Sequence, residues 1–258
     1  MNVLSFWLLA GGLLVVMLAS LEVGRRIGIY RKKADPEGAG AGLGAIEVAV
    51  FGLMGLLIAY TFSGAASRFD GRRQLVGEEA NAIGTAYLRI DLLPQAAQPV
   101  MREDFRNYAD ARLATFRKLR TDMDAAKQAQ SRSEELQGKI WNEAVAACKE
   151  VNSPAVTTLV LSSLNEMIDI TTTRMVATQT HPPAVIFYGL GLLVVASSLL
   201  AGYGMASSKK RSWMHMLTYA FITASTLYVI LDMEYPRIGL IRVDSADQVM
   251  FDVRSTMK

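Results

Sequence analysis

The chain has 258 residues, of which 51% are apolar and 20% are charged, and its formal net charge is +3. Charged residues are absent from four long stretches and frequent elsewhere, which excludes a single water-soluble core and indicates a membrane protein with a polar domain. The one cysteine, Cys148, excludes an intrachain disulfide and a multi-cysteine metal site. The small net charge, without a basic stripe, argues against nucleic acid as a partner.

Four uncharged stretches predict membrane spans. Val3–Leu21 and Val48–Ser67 are each long enough to cross a hydrocarbon core of about 30 Å as a helix. No basic residue precedes Val3, so we expect a retained span rather than a cleaved signal peptide. Two further spans are predicted at Ala184–Ser208 and Ser212–Leu231. The plan is therefore two spans, a long polar insert and two more spans.

The insert is predicted to be helical, because apolar residues recur at intervals of three or four and no alternating pattern competes. A first helix, Arg72–Ile90, continues from the second span. The apolar face that runs from Met101 through Leu119 to Met123 predicts a second helix. A third follows at Leu136–Cys148.

A fourth insert helix is predicted to begin at Asn152-Ser153-Pro154, because a polar cap followed by proline in the first turn leaves no hydrogen bond missing. His181-Pro182-Pro183 then interrupts the chain before the third span. The fold class is all-α, a polytopic membrane protein with a helical extramembrane insert. The predicted parts are residues 1–67 (spans one and two), 68–182 (helical domain), 183–231 (spans three and four) and 232–258 (extramembrane tail).

The charge of the short loops predicts the orientation, because basic residues that flank spans remain in the cytoplasm. Both loops that join paired spans are basic, whereas the residues before the first span carry no basic group. The rule therefore places the helical domain and both termini outside, in a periplasm if the cell has one. The basic residues are Arg25, Arg26, Arg31, Lys32 and Lys33 in one loop and Lys209, Lys210 and Arg211 in the other.

The segment Tyr60–Asn81, at the end of the second span, resembles the bestrophins. In bacterial bestrophins an arginine and an E-A-R-x-L-W-G-E-x-x-N run follow the pore helix. The segment Asp232–Gly239 is similar to an acidic-x-Pro-Phe-Gly segment of the same family. The chain is most similar to the bestrophin-like bacterial membrane proteins. The matching residues of the first segment are Arg68, Arg73, Leu75, Gly77, Glu78 and Asn81.

Some features depart from the family pattern. Phe69-Asp70 replaces a tryptophan pair, Arg237 stands where a phenylalanine is usual, and the tail lacks the acidic run of the calcium clasp in animal bestrophins. Calcium gating is therefore not expected. Bestrophins keep both termini and the helical domain in the cytosol, so the resemblance and the charge rule disagree. The one-sided charge of the short loops favours the inverted orientation.

The resemblance implies a homopentameric ion channel, mostly for anions, in which the second span of each copy lines a central neck. The matching neck positions are Gly52, Leu56 and Tyr60, and residues four apart on a helix would form successive rings in a symmetric oligomer. A ring of Leu56 side chains could close such a pore by dewetting. The alternative is that Gly52 and Gly55 only allow two helices to approach closely.

Glu47 and Ser63 are candidates for the pore mouth or for ion selectivity. Glu47 is an acidic residue at the entrance of the second span, and five carboxylates at a pore mouth would favour cations. The alternative is that Glu47 lies at the level of the lipid headgroups and interacts with the positive helix N-terminus.

A charged group follows the second span. Its residues are spaced so that arginines and carboxylates can pair within or between subunits, which predicts a salt-bridge collar. A charge-selecting vestibule is the alternative. The residues are Arg68, Arg72, Arg73, Glu78 and Asn81, with Glu79 beside them.

The sequence contains no signature of an enzyme, and no catalytic residue, cofactor or metal site is predicted. His181 and His215 lack the spacing of metal ligands. The expected partners are other copies of the chain, membrane lipid and small inorganic ions, in a bacterial inner membrane. A non-conducting scaffold or sensor that binds a partner through its helical domain is the alternative function. A small transporter is less favoured, because the sequence has no inverted repeat.

Overall fold

The computed structural model describes residues 3–34, 43–118, 121–207, 211–236, 239–243 and 246–258. Within these ranges the chain is helical and contains no strand. Short 3₁₀ turns follow two of the helices, at Ile90–Leu92 and Met205–Ser207. The α-helices are α1 Val3–Ala34, α2 Leu43–Arg89, α3 Gln98–Lys118, α4 Met123–Val151, α5 Pro154–Gln179, α6 Ala184–Gly204, α7 Trp213–Glu234 and α8 Asp247–Thr256.

The four predicted membrane spans are confirmed as long apolar helices. α1, α2, α6 and α7 contain segments that are long and apolar enough to cross a membrane. α1 and α2 extend well beyond the predicted spans, because nothing in the flanking polar sequence stops a helix. Ser208, the predicted end of the third span, lies outside the described residues, as do Lys209, Lys210 and Arg237.

The insert helices follow the predicted order, with one error at a boundary. Met123 was expected on the apolar face of the second insert helix, but α3 ends at Lys118 and Met123 begins α4. The Asp122 side chain caps α4 by accepting a hydrogen bond from the Ala125 N–H at 2.9 Å, and Met123 is 54% exposed. The N-cap at Asp122 therefore begins a new helix at a point where the apolar periodicity alone predicts that the previous helix continues. Leu119 lies outside the described residues.

The start of α5 is as the sequence predicts. Ser153 is the N-cap, Pro154 occupies the first turn, and Asn152 ends α4 in the left-handed conformation with φ of 49°. Asparagine is one of the few residues that adopt this conformation readily. The local signals of polar cap and proline therefore fix this turn.

The chain forms two compact units. The transmembrane unit comprises residues 1–67 and 181–241, and the helical unit comprises residues 68–180 and 242–258. α2 contributes to both, and the C-terminal helix α8 packs within the helical unit against α3.

The transmembrane unit is held together by close helix packing. α1 packs along α6, and a Cβ at Gly202 would lie 2.0 Å from the Leu21 carbonyl oxygen. A Cβ at Gly24 would likewise lie 2.0 Å from the Leu199 carbonyl oxygen. Inside a membrane the hydrophobic effect does not drive helices together, and close packing at small residues takes its place. These glycines let the backbones of α1 and α6 come into contact.

The helical unit has a conventional apolar core. Side chains from α2, α3, α4, α5 and α8 meet around the fully buried Phe105 and Tyr108. Arg254 of α8 forms two hydrogen bonds with Asp110 of α3, both at 2.8 Å. Apolar burial and a bidentate ion pair thus fix the last helix of the chain.

Candidate functional site on helix α2

One side of α2 is buried in the chain along most of its length. We define the back face of α2 by the buried residues that recur at intervals of three, four or seven. Their spacing matches the 3.6-residue repeat of a straight α-helix. The back face therefore packs α2 onto the rest of its own chain. It comprises Met54, Thr61, Ala65, Arg72, Val76, Glu79, Ile83 and Ala86.

The opposite side of α2 is exposed over the same length. We define the front face by residues that recur at intervals of three or four and are all exposed. Gly52 and Met54 differ by two positions, which places the two faces on roughly opposite sides of the helix. All three predicted neck residues lie on the front face. It comprises Gly52, Leu56, Tyr60, Ser63, Ser67, Asp70, Gln74, Glu78 and Asn81.

The predicted neck residues are strongly exposed in the single chain. Leu56 is 68% exposed and Tyr60 is 69% exposed. A Cβ at Gly52 or at Gly55 would meet no atom of the described residues within 4 Å. Among the described residues, the glycines that bring helices together include Gly24, Gly28 and Gly202, whereas close packing within the described chain does not explain Gly52 and Gly55.

The front face becomes polar within the membrane span. Tyr60, Ser63 and Ser67 are exposed there. On the back face, by contrast, the buried Thr61 hydroxyl donates hydrogen bonds to carbonyl oxygens of its own helix. Exposed polar groups in a span are costly against lipid and usually face water or a partner. The polar side of α2 is therefore a candidate for a water-filled path.

Glu47 is not brought together with Ser63. A Cβ at Gly204 would lie 3.0 Å from Glu47 Oε1, so the Glu47 carboxylate lies against the end of α6 in its own chain. The helical repeat places Glu47 on the side of Met54, whereas Ser63 is on the front face. This position agrees better with the alternative predicted for Glu47, a structural role near the helix end.

The predicted collar residues have separate surroundings. Arg72 is buried and donates hydrogen bonds to the carbonyl oxygens of Ala177 at 3.0 Å and Thr180 at 2.9 Å. These carbonyls belong to the C-terminal end of α5, where a positive charge is favourable. Arg72 therefore caps a neighbouring helix of its own unit.

Arg73 lies at the edge of the exposed surface. Its guanidinium is 3.7 Å from Asp70 Oδ1 and 5.8 Å from the centre of the Phe69 ring. Glu78 and Asn81 are exposed on the front face, and Arg68 is half-buried. The structure thus separates the predicted collar into an exposed front group and buried or half-buried arginines.

A buried ionic cluster is the feature that sequence reasoning missed. Glu79 is fully buried, and it accepts hydrogen bonds from Arg112 Nε and Arg174 Nη1, both at 2.5 Å. Both guanidinium groups also contact the Phe116 ring, and Arg174 reaches Asp247 of α8 at 3.4 Å. This cluster links α2, α3, α5 and α8 inside the helical unit.

A weak sequence signal for this cluster exists. Arg112 interrupts the apolar face of α3 four residues after Tyr108, and Arg174 occupies a buried position on α5. Burial alone lowers the pKa of Arg112, but the Glu79 carboxylate raises it above its ordinary value. Burial also raises the pKa of the adjacent Tyr108 hydroxyl. Arg112 therefore stays charged, and a buried arginine of this kind requires a buried carboxylate as its partner.

The segment after α7 is fixed by Asp232. Its buried carboxylate accepts hydrogen bonds from the Leu240 and Ile241 N–H groups, at 2.9 and 2.8 Å. A Cβ at Gly239 would lie 1.2 Å from Asp232 Oδ1. The acidic residue therefore supplies the hydrogen-bond acceptors of this turn, and the glycine leaves room for the carboxylate.

The neighbouring Glu234 is also buried, and His181 approaches it. His181 Nδ1 lies 3.5 Å from Glu234 Oε2, and the imidazole stacks on the Tyr235 ring at 4.6 Å. Among the described residues, no group of three or more His, Cys, Asp or Glu side chains is placed to hold a metal ion.

The comparisons with known proteins agree on one family. The model of the Bestrophin-like domain matches residues 41–247. A search of curated proteins finds no match to the chain.

Two solved structures similar to the chain are variants of a bacterial bestrophin homologue from Klebsiella pneumoniae, one with a tryptophan and one with a tyrosine replaced by alanine. Their TM-scores are 0.67 and 0.65, and each has 14% sequence identity to this chain. Each comparison covers 94% of this chain, and 97% and 99% of the respective structures.

A third similar structure is described as a membrane protein in which a proline is replaced by alanine. It has a TM-score of 0.61 and 14% identity, and covers 94% of this chain and 99% of its own. The structural likeness supports the fold, and the domain match covers most of the sequence. The chain is therefore a member of the bestrophin-like family.

Proposed function

We propose that this chain forms a homopentameric ion channel in the bacterial inner membrane, with the front face of α2 lining the conduction path. The family is known for ion channels, and bestrophin homologues are oligomeric. The observation that carries the proposal is the exposure of Gly52, Leu56 and Tyr60 along one side of a membrane helix, opposite its buried side.

The exposure of the α2 span supports assembly. In the most apolar 18-residue window of α2 only 11% of the residues are buried within the chain, against 33% in α7. Large apolar side chains beside the front face, such as Leu53 and Phe62, are 54% and 43% exposed. In a ring of copies these flanks would contact the neighbouring subunits, while the front face would meet the shared axis.

The front face would form a graded neck around that axis. Leu56 would contribute the apolar constriction, Gly52 a wider ring without side chains, and Tyr60 a ring of hydroxyl groups. A narrow apolar ring gates by excluding water, so Leu56 is the residue most able to limit the current.

The orientation is also a proposal. The short loops carry the lysines and arginines of the transmembrane unit except Arg237, and Arg211 of the second loop pairs with Glu22 of α1 at 2.6 Å. Basic short loops favour the cytoplasm, which would put the helical unit outside. A reporter fused after Lys258 distinguishes the two orientations, because alkaline phosphatase is active only outside the cytoplasm.

The test of function is a planar bilayer recording on the purified protein. We expect single-channel currents from assemblies whose mass, measured in detergent, corresponds to five chains. Leu56→Ala should raise the conductance, because a wider and less apolar constriction is easier to hydrate. Phe62→Ala is the control, since Phe62 is another exposed apolar side chain of the same helix and lies about 120° around the helix from Leu56.

The possible outcomes separate the two functions. Equal effects of Leu56→Ala and Phe62→Ala would remove Leu56 from the neck. Folded pentamers that carry no current would contradict the channel and favour a non-conducting scaffold. A stable monomer would contradict both the ring and the path.

A further inference from the structure

The C-terminal end of α1 is longer than a membrane span requires, and it is basic. α1 is one helix of 32 residues, about 48 Å long, whereas a hydrocarbon core is about 30 Å thick. Its last turns therefore reach the level of the lipid headgroups. The last turn carries Arg31, Lys32 and Lys33, and none of the three forms an ion pair among the described residues.

The charged residues at this end of α1 lie mainly on one side of the helix. Arg26 and Lys33 are separated from each other by seven residues, and Arg26 follows Glu22 by four, which places these three side chains in one row. Arg25 and Lys32 lie at the edge of that row. We call these five residues the basic face of α1. Four bases thus share one side of a helix with a single acid.

The start of α7 meets the basic face inside the transmembrane unit. Arg211 Nη2 lies 2.6 Å from Glu22 Oε1, and Arg26 Nε lies 2.9 Å from the same oxygen. The Arg211 guanidinium also lies 5.6 Å from the centre of the Trp213 ring. Two arginines from different parts of the chain therefore share one carboxylate, which cannot neutralise both.

The N-terminus of α7 adds further positive charge beside Arg211. Ser212 precedes the helix but makes no side-chain cap, and the first turn contains no acidic residue. The first N–H groups of a helix carry a partial positive charge and favour anions. A basic residue is therefore unfavourable at this position, in contrast to Lys33 at the C-terminal end of α1. The helix dipole explains Lys33, but Arg211 requires an anion as its neighbour.

Aromatic side chains place this end of the transmembrane unit at the membrane–water boundary. Trp213 and Tyr30 are exposed, and tryptophan and tyrosine are enriched at the level of the lipid headgroups. Residues 22–47 and 209–211 together hold eight basic and four acidic residues. An excess of positive charge at headgroup level is complementary to the phosphate of an anionic lipid.

We propose that the basic face of α1 and the start of α7 bind the headgroup phosphate of an anionic phospholipid. Arg26 and Arg211 contact the phosphate, because guanidinium groups bind phosphate oxygens through paired hydrogen bonds. Lys33 adds attraction at the rim, and Glu22 competes with the phosphate for both arginines. The inference does not depend on ion conduction, because it requires only that this end of the unit lies in a membrane.

The test is the melting temperature of the purified full-length protein in a neutral detergent, followed by circular dichroism while lipid is added. Phosphatidylglycerol is anionic, and phosphatidylcholine with the same acyl chains is neutral overall, so the pair isolates the headgroup charge. A ligand of the folded state raises the melting temperature according to its affinity. We expect phosphatidylglycerol to bind at least about fivefold more tightly than phosphatidylcholine. High salt should reduce this difference.

Variants with opposite expected effects test the assignment to these residues. Arg26→Gln combined with Lys33→Gln should lower the affinity for phosphatidylglycerol about fivefold for each charge removed. Glu22→Gln should raise that affinity, because it removes the carboxylate that competes for Arg26 and Arg211. A gain in affinity cannot come from a loss of folding.

The matched control is Lys127→Gln combined with Arg132→Gln in α4. Lys127 is exposed and forms no ion pair among the described residues, as is the case for Lys33. Arg132 pairs within its own helix, with Glu135 at 3.1 Å, much as Arg26 does with an acid of α1. This control removes the same two charges from the helical unit and should keep the wild-type affinity.

Three results would overturn the proposal. Equal stabilisation by phosphatidylglycerol and phosphatidylcholine would show that the headgroup charge is not recognised, and this result needs no variant to fold. An affinity for phosphatidylglycerol that Arg26→Gln with Lys33→Gln leaves unchanged would remove the basic face from the site. Sodium phosphate at the same concentration should give no shift, and a shift as large as that of phosphatidylglycerol would make the ligand a soluble anion rather than a lipid.

Discussion

The two faces of α2 differ in what their residues contact. The back face carries Arg72 and Glu79, whose charged groups form hydrogen bonds with partners inside the chain, and small or apolar residues that pack into two cores. The front face carries Gly52, Leu56 and Glu78, which are exposed in the single chain. A change on the back face should therefore affect folding, and a change on the front face should affect conduction.

The adjacent residues Glu78 and Glu79 make this comparison most directly, because they are the same amino acid on opposite faces. Glu79→Gln replaces the carboxylate that two buried guanidinium groups share with a neutral amide, and we expect a loss of about 3–5 kcal/mol in the free energy of unfolding. Glu78→Gln should change it by no more than about 0.5 kcal/mol. Thermal unfolding in detergent, followed by circular dichroism, measures both.

The opposite ranking would break the comparison. Equal stability of Glu79→Gln and wild type would mean that the cluster of Glu79, Arg112 and Arg174 contributes little to folding. In that case the buried charges would need a different explanation. A large loss in Glu78→Gln would mean that the front face is a packing surface rather than the lining of a path.

Glycines provide the second test, with a smaller expected effect. Gly202→Ala places a Cβ 2.0 Å from the Leu21 carbonyl oxygen, so α1 and α6 must separate, at a cost of about 1–3 kcal/mol. Gly52→Ala meets no described atom within 4 Å and removes a flexible residue from a helix, so stability should rise by up to about 1 kcal/mol. Gly52→Ala should also lower the single-channel conductance, because it narrows the neck.

Gly55→Ala is the control for this pair of variants. A Cβ at Gly55 also meets no described atom within 4 Å, but Gly55 lies off the front face. It should stabilise the protein as Gly52→Ala does without lowering the conductance. Equal losses of conductance at Gly52 and Gly55 would mean that the helix packs against a neighbour along both positions.

Much of the fold could be predicted from the sequence, because spans and amphipathic helices are encoded locally. Uncharged runs predicted all four spans, and the Asn152-Ser153-Pro154 signal predicted the start of α5. The boundary at Met123 was wrong, since an apolar repeat continues across the Asp122 cap. Periodicity does not detect a helix end when the next helix begins in phase.

The candidate site could be predicted only in part. The resemblance to the bestrophins predicted the face of α2 that contains Leu56 and Tyr60. The helical repeat then indicated which further residues lie on the same face. The pairing of Glu79 with Arg112 and Arg174 could not be predicted, because the partners are 33 and 95 residues away. Sequence also could not tell the packing glycine Gly202 from the exposed Gly52, since that difference lies in the neighbouring helix.

The third test concerns two carboxyl groups that lie outside α2, and it has the smallest expected effect. Asp104 of α3 and Glu143 of α4 each have a buried carboxylate oxygen without a hydrogen-bond partner among the described residues. Lys139 donates to the other Asp104 oxygen at 2.8 Å. Burial and then the nearby Asp104 charge raise the pKa of Glu143 above its ordinary value of 4.5.

A raised pKa in the folded state means that the folded protein holds the Glu143 proton more tightly than the unfolded chain does. Stability from this group is therefore full below about pH 4.5 and is lost as the pH rises through the folded pKa. Glu143→Gln stays neutral and should flatten the fall of the melting temperature as the pH rises above about 4.5. Glu135→Gln, which changes an exposed glutamate of the same helix, should keep the wild-type slope. Because Asp104 and Glu143 lie on neither face of α2, the single-channel conductance of Glu143→Gln should match wild type, and a change in the conductance would mean that residues beyond the front face also affect conduction.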